Sequence, residues 1–352
     1  MTAVPTVVPA APVRRRREVG LEGRQTRLAL ILLIPTFIVL LLVAFYPLGR
    51  TFFASFTDEP FAHPGVPINY VGLQNYQELM SVQIVPLPGD TKLIDVLPTC
   101  SLPNCYYQSA GQFSLFGNKY AIVATDPDFI SSVSNTLIFT LISVFLELTL
   151  GLGVAMVVST KFRGRGALRT AMLVPWAIPT VVSTLMWKYI LKDNSSGVLN
   201  DILVNKLHLL SASQAWTTNF QIPSIIMIDV WKTIPFMALL LLAGLQTIPE
   251  DVYEAASVDG ATAWNQFVSI TLPLLRPTIL LALIFRTLDA LRAFDVFQVL
   301  FGYNLRSMAT YNQEKLIGSQ QYGYASAVGV IIFAVLFVFT IIYMTFLRVE
   351  SD

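Results

Sequence analysis

Apolar residues along this chain gather into six runs long enough to cross a bilayer, separated by polar stretches. A hydrocarbon core about 30 Å thick takes roughly 20 apolar residues in a helix. The pattern predicts spans at about 28–49, 133–158, 169–191, 223–245, 276–297 and 325–346, with isolated charges inside the second, fourth and fifth. An even number of spans leaves both termini on one side. The longest connection, 50–132, contains a Pro-, Gly- and Asn-rich stretch, 85–128, without helical periodicity. The expected architecture is an all-α membrane protein: a tail (1–27), a first helix (28–49), an external segment (50–132) and a core of five helices (133–347).

The distribution of cations orients it. Stretches 1–27, 159–169, 246–275 and 347–352 hold eleven Lys or Arg in 74 positions, whereas 50–132, 192–222 and 298–324 hold seven in 141. Cytoplasmic loops carry the excess, so both termini are expected inside. The tail with Arg14 to Arg17 reads as a basic cytoplasmic segment. A cleaved secretory signal fits poorly, because the apolar run after it is too long and ends in Phe45-Tyr46-Pro47 without a small-residue cleavage site.

Composition removes other classes of function. Residues are 54% hydrophobic and 13% charged, with a mean hydropathy of +0.62, against about 25% charged in a soluble domain. A net charge of +1 gives no field for nucleic acid. Two His and two Cys are too few for a His/Cys metal cage. No G-x-x-x-x-G-K-[ST] occurs, so energy for uphill transport has to come from a partner.

The cytoplasmic stretch 247–277 writes a short helix outside the membrane. Thr247 with Glu250 has the spacing of a capping box, Pro249 suits a first turn, and Glu250 and Asp251 suit the positive end of a helix dipole. Gly260 can end the helix in a left-handed conformation. Ala255 and Ala256 leave a smooth patch beside Val252 and the carboxylates Glu254 and Asp259. Such a surface fits a partner's groove; a helical loop with no partner fits the same pattern.

Glu254-Ala-Ala-Ser-Val-Asp-Gly-Ala261, followed by Phe267, Ile270-Thr-Leu-Pro273 and Pro277, resembles the EAA loop of ABC importer permeases. Trp231-Lys-Thr-Ile-Pro235-Phe236, Phe285-Arg-Thr-Leu-Asp-Ala-Leu-Arg-Ala-Phe-Asp295, Val71-Gly-Leu-Gln-Asn-Tyr76 and Asn135-Thr136-Leu137 resemble the first permease subunit of maltose-, trehalose- and glycerol-phosphate-type systems. The resemblance runs from about residue 28 to the end. It departs at the long 85–128 stretch and at Phe301-Gly-Tyr-Asn304, where relatives carry Gly-Gly-Pro. It implies a type I importer fold in a prokaryotic plasma membrane, a second permease subunit, a dimer of ATPase subunits holding ATP and magnesium, and an external solute-binding protein. The chain itself is then no enzyme and binds no cofactor. Glu254, Ala255, Ala256, Asp259 and Gly260 are the expected coupling residues.

Ionisable residues at membrane depth mark a path. Arg286, Asp289, Arg292 and Asp295 recur at every third position in the predicted fifth span, and each costs about 2.5–3.5 kcal/mol at a helix centre. A ladder of that kind turns through about half of the helix circumference. Lys232 to Phe236 fall at similar depth in the fourth span, and Pro235 frees a backbone carbonyl there. By resemblance to the maltose importer, positions matching Thr233, Phe236, Asp289 and Arg292 hold the sugar; with Lys232 and Asp295 they form the expected substrate path. Packing by a salt-bridge ladder stays open, as does an ion-coupled secondary transporter using those four charges as a relay, although no broken helices recur in two matching halves. Glu147 reads as an interhelical hydrogen bond near Gly151 and Gly153, or as part of the path. Cys100 and Cys105, in the external segment, read as a small disulfide loop in preference to a metal site, for which two thiols without a nearby His are a poor ligand set.

Overall fold

The structure, a computed structural model, describes residues 19–63, 65–87, 93–100 and 105–348. Arg14 to Arg17 of the basic tail lie outside the described residues. Contacts divide the chain into two units, Met1–Thr51 and Phe52–Asp352. The first unit is helical from Val19 onward and carries most of the first candidate span, α1 (Thr26–Ala54), whose large apolar side chains are exposed. Such a helix is stable only where lipid or a partner covers it.

In the second unit the external segment forms an antiparallel sheet of β1 (Val82–Leu87), β2 (Gln108–Leu115) and β3 (Asn118–Ala124), in the order β1-β3-β2. Period-two alternation explains it: Val85, Leu87, Ala121 and Val123 share one face, which Leu93, Val96, Leu97, Cys100 and Tyr107 cover in a small apolar cluster. The 85–128 stretch thus escaped a helix-period reading because it carries a strand period. Cys100 is disulfide-bonded to Cys105, with Cα atoms 5.9 Å apart, and residues 101–104 of that loop lie outside the described residues.

Asp126 begins α2 (Pro127–Ser159), accepting the Phe129 N–H at 3.0 Å with Pro127 in the first turn. At 33 residues the helix is about 50 Å long, so it protrudes from the bilayer. Asp126 also accepts the Tyr324 hydroxyl at 2.7 Å and that of Tyr311, with Lys315 at 3.5 Å. Burial opposes its ionisation, but the Tyr311 hydrogen bond and the Lys315 charge outweigh burial and hold this carboxyl below its ordinary value.

The expected third span is broken. Helices α3 (Arg165–Ala177) and α4 (Thr180–Ile190) meet at 90°. Pro179 has no N–H and keeps Ile178 extended, which stops α3. With this bent pair counted as one span, the described residues hold six candidate crossings, five of them single helices. Helix α5 (Gln221–Leu245) keeps its predicted place, and α6 (Glu250–Val258) follows it.

The fifth span is displaced from 276–297 to α7 (Ala263–Ala290). Thr262, whose side chain accepts the Asn265 N–H, starts it earlier, and a turn over residues 291–294 ends it. Asp295 then opens a new helix, α8 (Asp295–Phe301), where a carboxylate suits the N-terminal end. The four-charge ladder is therefore not one helix face: Arg286 and Asp289 end α7, Arg292 lies in the turn and Asp295 begins α8. The last span, α9 (Tyr322–Arg348), follows.

Small residues let the core helices approach. A Cβ on Gly151 of α2 would lie 2.9 Å from the Met237 side chain of α5, and one on Gly244 would lie 2.5 Å from Thr278 of α7. Two apolar clusters result, one around Phe139, Ile225, Ile228 and Phe297 and the other around Leu152, Met237, Leu241 and Leu275. Glu147 on α2 and Arg286 on α7 fall between them in sequence, and Asp229 on α5 lies between Ile228 and Val230 of the first cluster. Loops expected on one side share an end of α2: Arg306 meets Asp128 at one end at 3.2 Å, and Lys161 meets Glu250 at the other at 2.7 Å.

Candidate functional site: a mid-membrane cavity and a cytoplasmic helix

A polar layer runs between the apolar clusters, and Arg286 is its centre. The guanidinium, 3% exposed, donates to Glu147 of α2 (2.9 Å from Nη2 to Oε1, with a second bond from Nε to Oε2), to Asp229 of α5, and to Asp289 on its own helix (2.8 Å). Five fixed donors allow one cation to bind three carboxylates. Glu147 is fully buried whereas the Asp289 side chain is 71% exposed. The first pair therefore ties helices together, and Asp289 keeps acceptor capacity toward open space. Of the two readings of Glu147, the interhelical bond is the one observed, with Arg286 as partner.

Beside this layer opens a cavity of about 470 Å³, a size suited to a small ligand. Lys232, Thr233, Phe236, Asp289, Arg292 and Asp295 all line it. The ladder reading failed as helix geometry, yet the turn at 291–294 folds Arg292 and Asp295 back to the same space. Asp229 and Trp176 also line the cavity and were missed. Asp229 had a signal, standing three positions before Lys232 on the polar side of α5. Trp176 lies beside the break between α3 and α4, and only the bend brings its ring onto Phe236, centroids 5.9 Å apart and planes within 14°.

At the end of the bundle where Lys161 meets Glu250, α6 stands with Glu254, Ala255, Asp259 and Gly260 exposed and Ala256 half-buried. The capping box is not formed. Pro249 is the N-cap residue, extended, so the helix begins two residues later than the box requires, and the Thr247 hydroxyl donates to Gly244 O at 2.7 Å instead. Glu250 pairs with Lys161, whose hydrogen bond and charge hold that carboxyl below its ordinary value. Gly260 has φ +80°, and the Ala261 N–H returns to Ala256 O at 2.9 Å, so the left-handed ending is as predicted. Tyr253 and Thr271 hydroxyls, 3.0 Å apart, and Gln266 to Ser257, 2.8 Å, fasten α6 to the start of α7.

Residues 147–348, which include α6, α7 and the whole cavity lining, match the family described as the binding-protein-dependent transport system inner membrane component. The chain belongs to this family. It is 34% identical over 338 residues to the trehalose/maltose transport system permease protein MalF of Thermococcus litoralis, covering 94% of this chain and 97% of that one. The trehalose transport system permease protein SugA of Mycobacterium tuberculosis is 34% identical over 330 residues, covering 92% and 90%. The solved structure of a bacterial ABC transporter involved in the import of the acidic polysaccharide alginate matches with a TM-score of 0.69 at 20% identity, over 94% of this chain and 98% of that chain. The fold is thus that of an ABC importer permease, and the protein is a membrane-embedded transport subunit.

Proposed function

We propose that this permease forms half of the translocation pathway of an ATP-driven sugar importer, carrying a disaccharide of the maltose or trehalose kind across a prokaryotic inner membrane. Its assembly then contains a second permease subunit, two ATPase subunits that hold ATP and magnesium, and an external binding protein. The names of the two relatives above support the cargo class. The observation that carries the reading is the 470 Å³ cavity, where stacked aromatic rings face hydroxyl-accepting carboxylates.

The chemistry follows from those groups. Sugar hydroxyls find acceptors at Asp289 and Asp295 and donors at Arg292 and Thr233, while a pyranose C–H face suits the Phe236 and Trp176 rings. Lys232 completes that wall. On the cytoplasmic side, Glu254, Ala255, Ala256, Asp259 and Gly260 dock in a cleft of the ATPase. Closure of the ATPase dimer on ATP displaces α6, and the Tyr253–Thr271 and Gln266–Ser257 contacts pass that motion to α7, which carries Arg286 and Asp289. Cavity access thereby alternates between the two faces. A charge relay on a single helix face would have supported ion coupling, and the break after Ala290 removes that arrangement.

The test is ATPase activity of the full complex in lipid, with its binding protein, with trehalose or maltose and without. Stimulation by either sugar is expected; activity indifferent to every sugar, or no associated ATPase, overturns the proposal.

A further inference from the structure

The broken span leaves a problem in electrostatics that one side chain solves. Where α3 stops at Ala177, its last carbonyls have no following helical N–H, and Pro179 supplies none. Non-helical backbone at membrane depth is tolerated only where protein groups or a water-filled cavity satisfy it. The Lys232 ammonium, reaching across from α5, donates to Trp176 O at 3.2 Å and to Ile178 O at 3.0 Å. A cation at a helix C-terminus also meets the negative end of its dipole.

We infer that Lys232 is a positioning residue that holds the 90° elbow between α3 and α4, and with it the aromatic wall of the cavity. The geometry is that of a two-point grip. Lys232 and Phe236 stand one turn apart on α5; the first holds the Trp176 backbone and the second stacks on its ring. Backbone and ring of Trp176 are thus both held from α5. Two of the three ammonium donors are occupied by the elbow, so the role of this cation differs from that of Arg292, which lies in the 291–294 turn and donates to the adjacent Leu288 carbonyl. The consequence for transport rests on the proposed sugar pathway; the elbow contact itself does not.

The two cysteines are bonded to each other, so spin labels attached to introduced cysteines of this purified subunit, before assembly, mark those positions. Labels at Ala177→Cys in the elbow and Ala243→Cys on α5 give a distance distribution in the assembled complex in lipid. Lys232→Met, close in length but without donors, is expected to broaden that distribution at least about twofold. It should lower maximal sugar-stimulated ATPase turnover on the order of tenfold, the scale of a lost charged hydrogen bond. Lys232→Arg, which restores a cationic donor, should keep the distribution narrow and the turnover near the parent's. An unchanged distribution in Lys232→Met overturns the inference, as does a Lys232→Arg protein as broad as Lys232→Met. Equal loss of turnover in both variants with narrow distributions would instead make the ammonium a direct sugar ligand. If no sugar stimulates the parent complex, the transport proposal fails while the distance distributions still decide the role of Lys232.

Discussion

Replacing Arg286 with Met removes the one cation shared by three carboxylates and leaves its shape largely filled. The loss is dominated by Glu147, fully buried, and by Asp229, whose side chain is 16% exposed; Asp289, 71% exposed, is rehydrated at little cost. Breaking a buried pair from one side typically costs 3–5 kcal/mol, because the remaining charge is stranded. We therefore expect Arg286→Met to lose about 3–5 kcal/mol. The loss should appear as a lower temperature at which the detergent-purified complex ceases to elute as a single species. The combined change Arg286→Met, Glu147→Gln and Asp229→Asn strands no charge and should recover most of the loss, since neutral replacements for buried ion clusters are often harmless. Arg286→Lys should fall between, lacking the fork that reaches several acceptors at once. A single variant as stable as the parent, or a triple variant no better than the single, would refute this account of the polar layer.

Other expectations follow from the same geometry. Glu254→Lys, on the exposed face of α6, should abolish ATPase association and transport while leaving membrane insertion intact; normal sugar uptake would refute the docking role. Asp289→Asn should change transport rate or sugar preference several-fold with expression nearly unchanged, and loss of protein in proportion to activity would make Asp289 a packing residue. Asp126→Asn should cost about 1–3 kcal/mol at neutral pH. Because the folded-state carboxyl lies below its ordinary value of 3.8, this contribution is complete above the unfolded value and is lost as pH falls through the folded one. Melting curves of parent and variant should therefore converge only below about pH 4; a gap that is constant down to pH 2 would refute the assignment.

Much of this architecture was written in periodicity. The spans at 223–245 and 325–346 were legible because long apolar stretches leave no competing state in a bilayer, and the α6 helix was legible from Pro249, its acidic first turn and Gly260. What escaped were features set by tertiary contact. Hydropathy alone continued the fifth helix through Leu291 to Phe297, whereas the chain turns at residues 291–294 and restarts on Asp295. Likewise the third span reads as one continuous apolar run, and the 90° elbow at Pro179, gripped by a lysine 54 residues away from Ile178, was not foreseen. The Thr247 box failed because Pro249 fixed the entry to α6 first. The cavity was legible as a set of residues and not as a shape: the six expected path positions do meet, through a turn and a bend that the pattern did not foresee.

The central claim is that a sugar passes through the cavity between α5, α7 and α8. Its most direct test is the structure of the full complex with binding protein, trehalose or maltose, and ATP held unhydrolysed. The account predicts sugar density against Phe236 and within hydrogen-bond reach of Asp289 or Asp295. Sugar found only in the binding protein, or in a pathway that bypasses these residues, would contradict it.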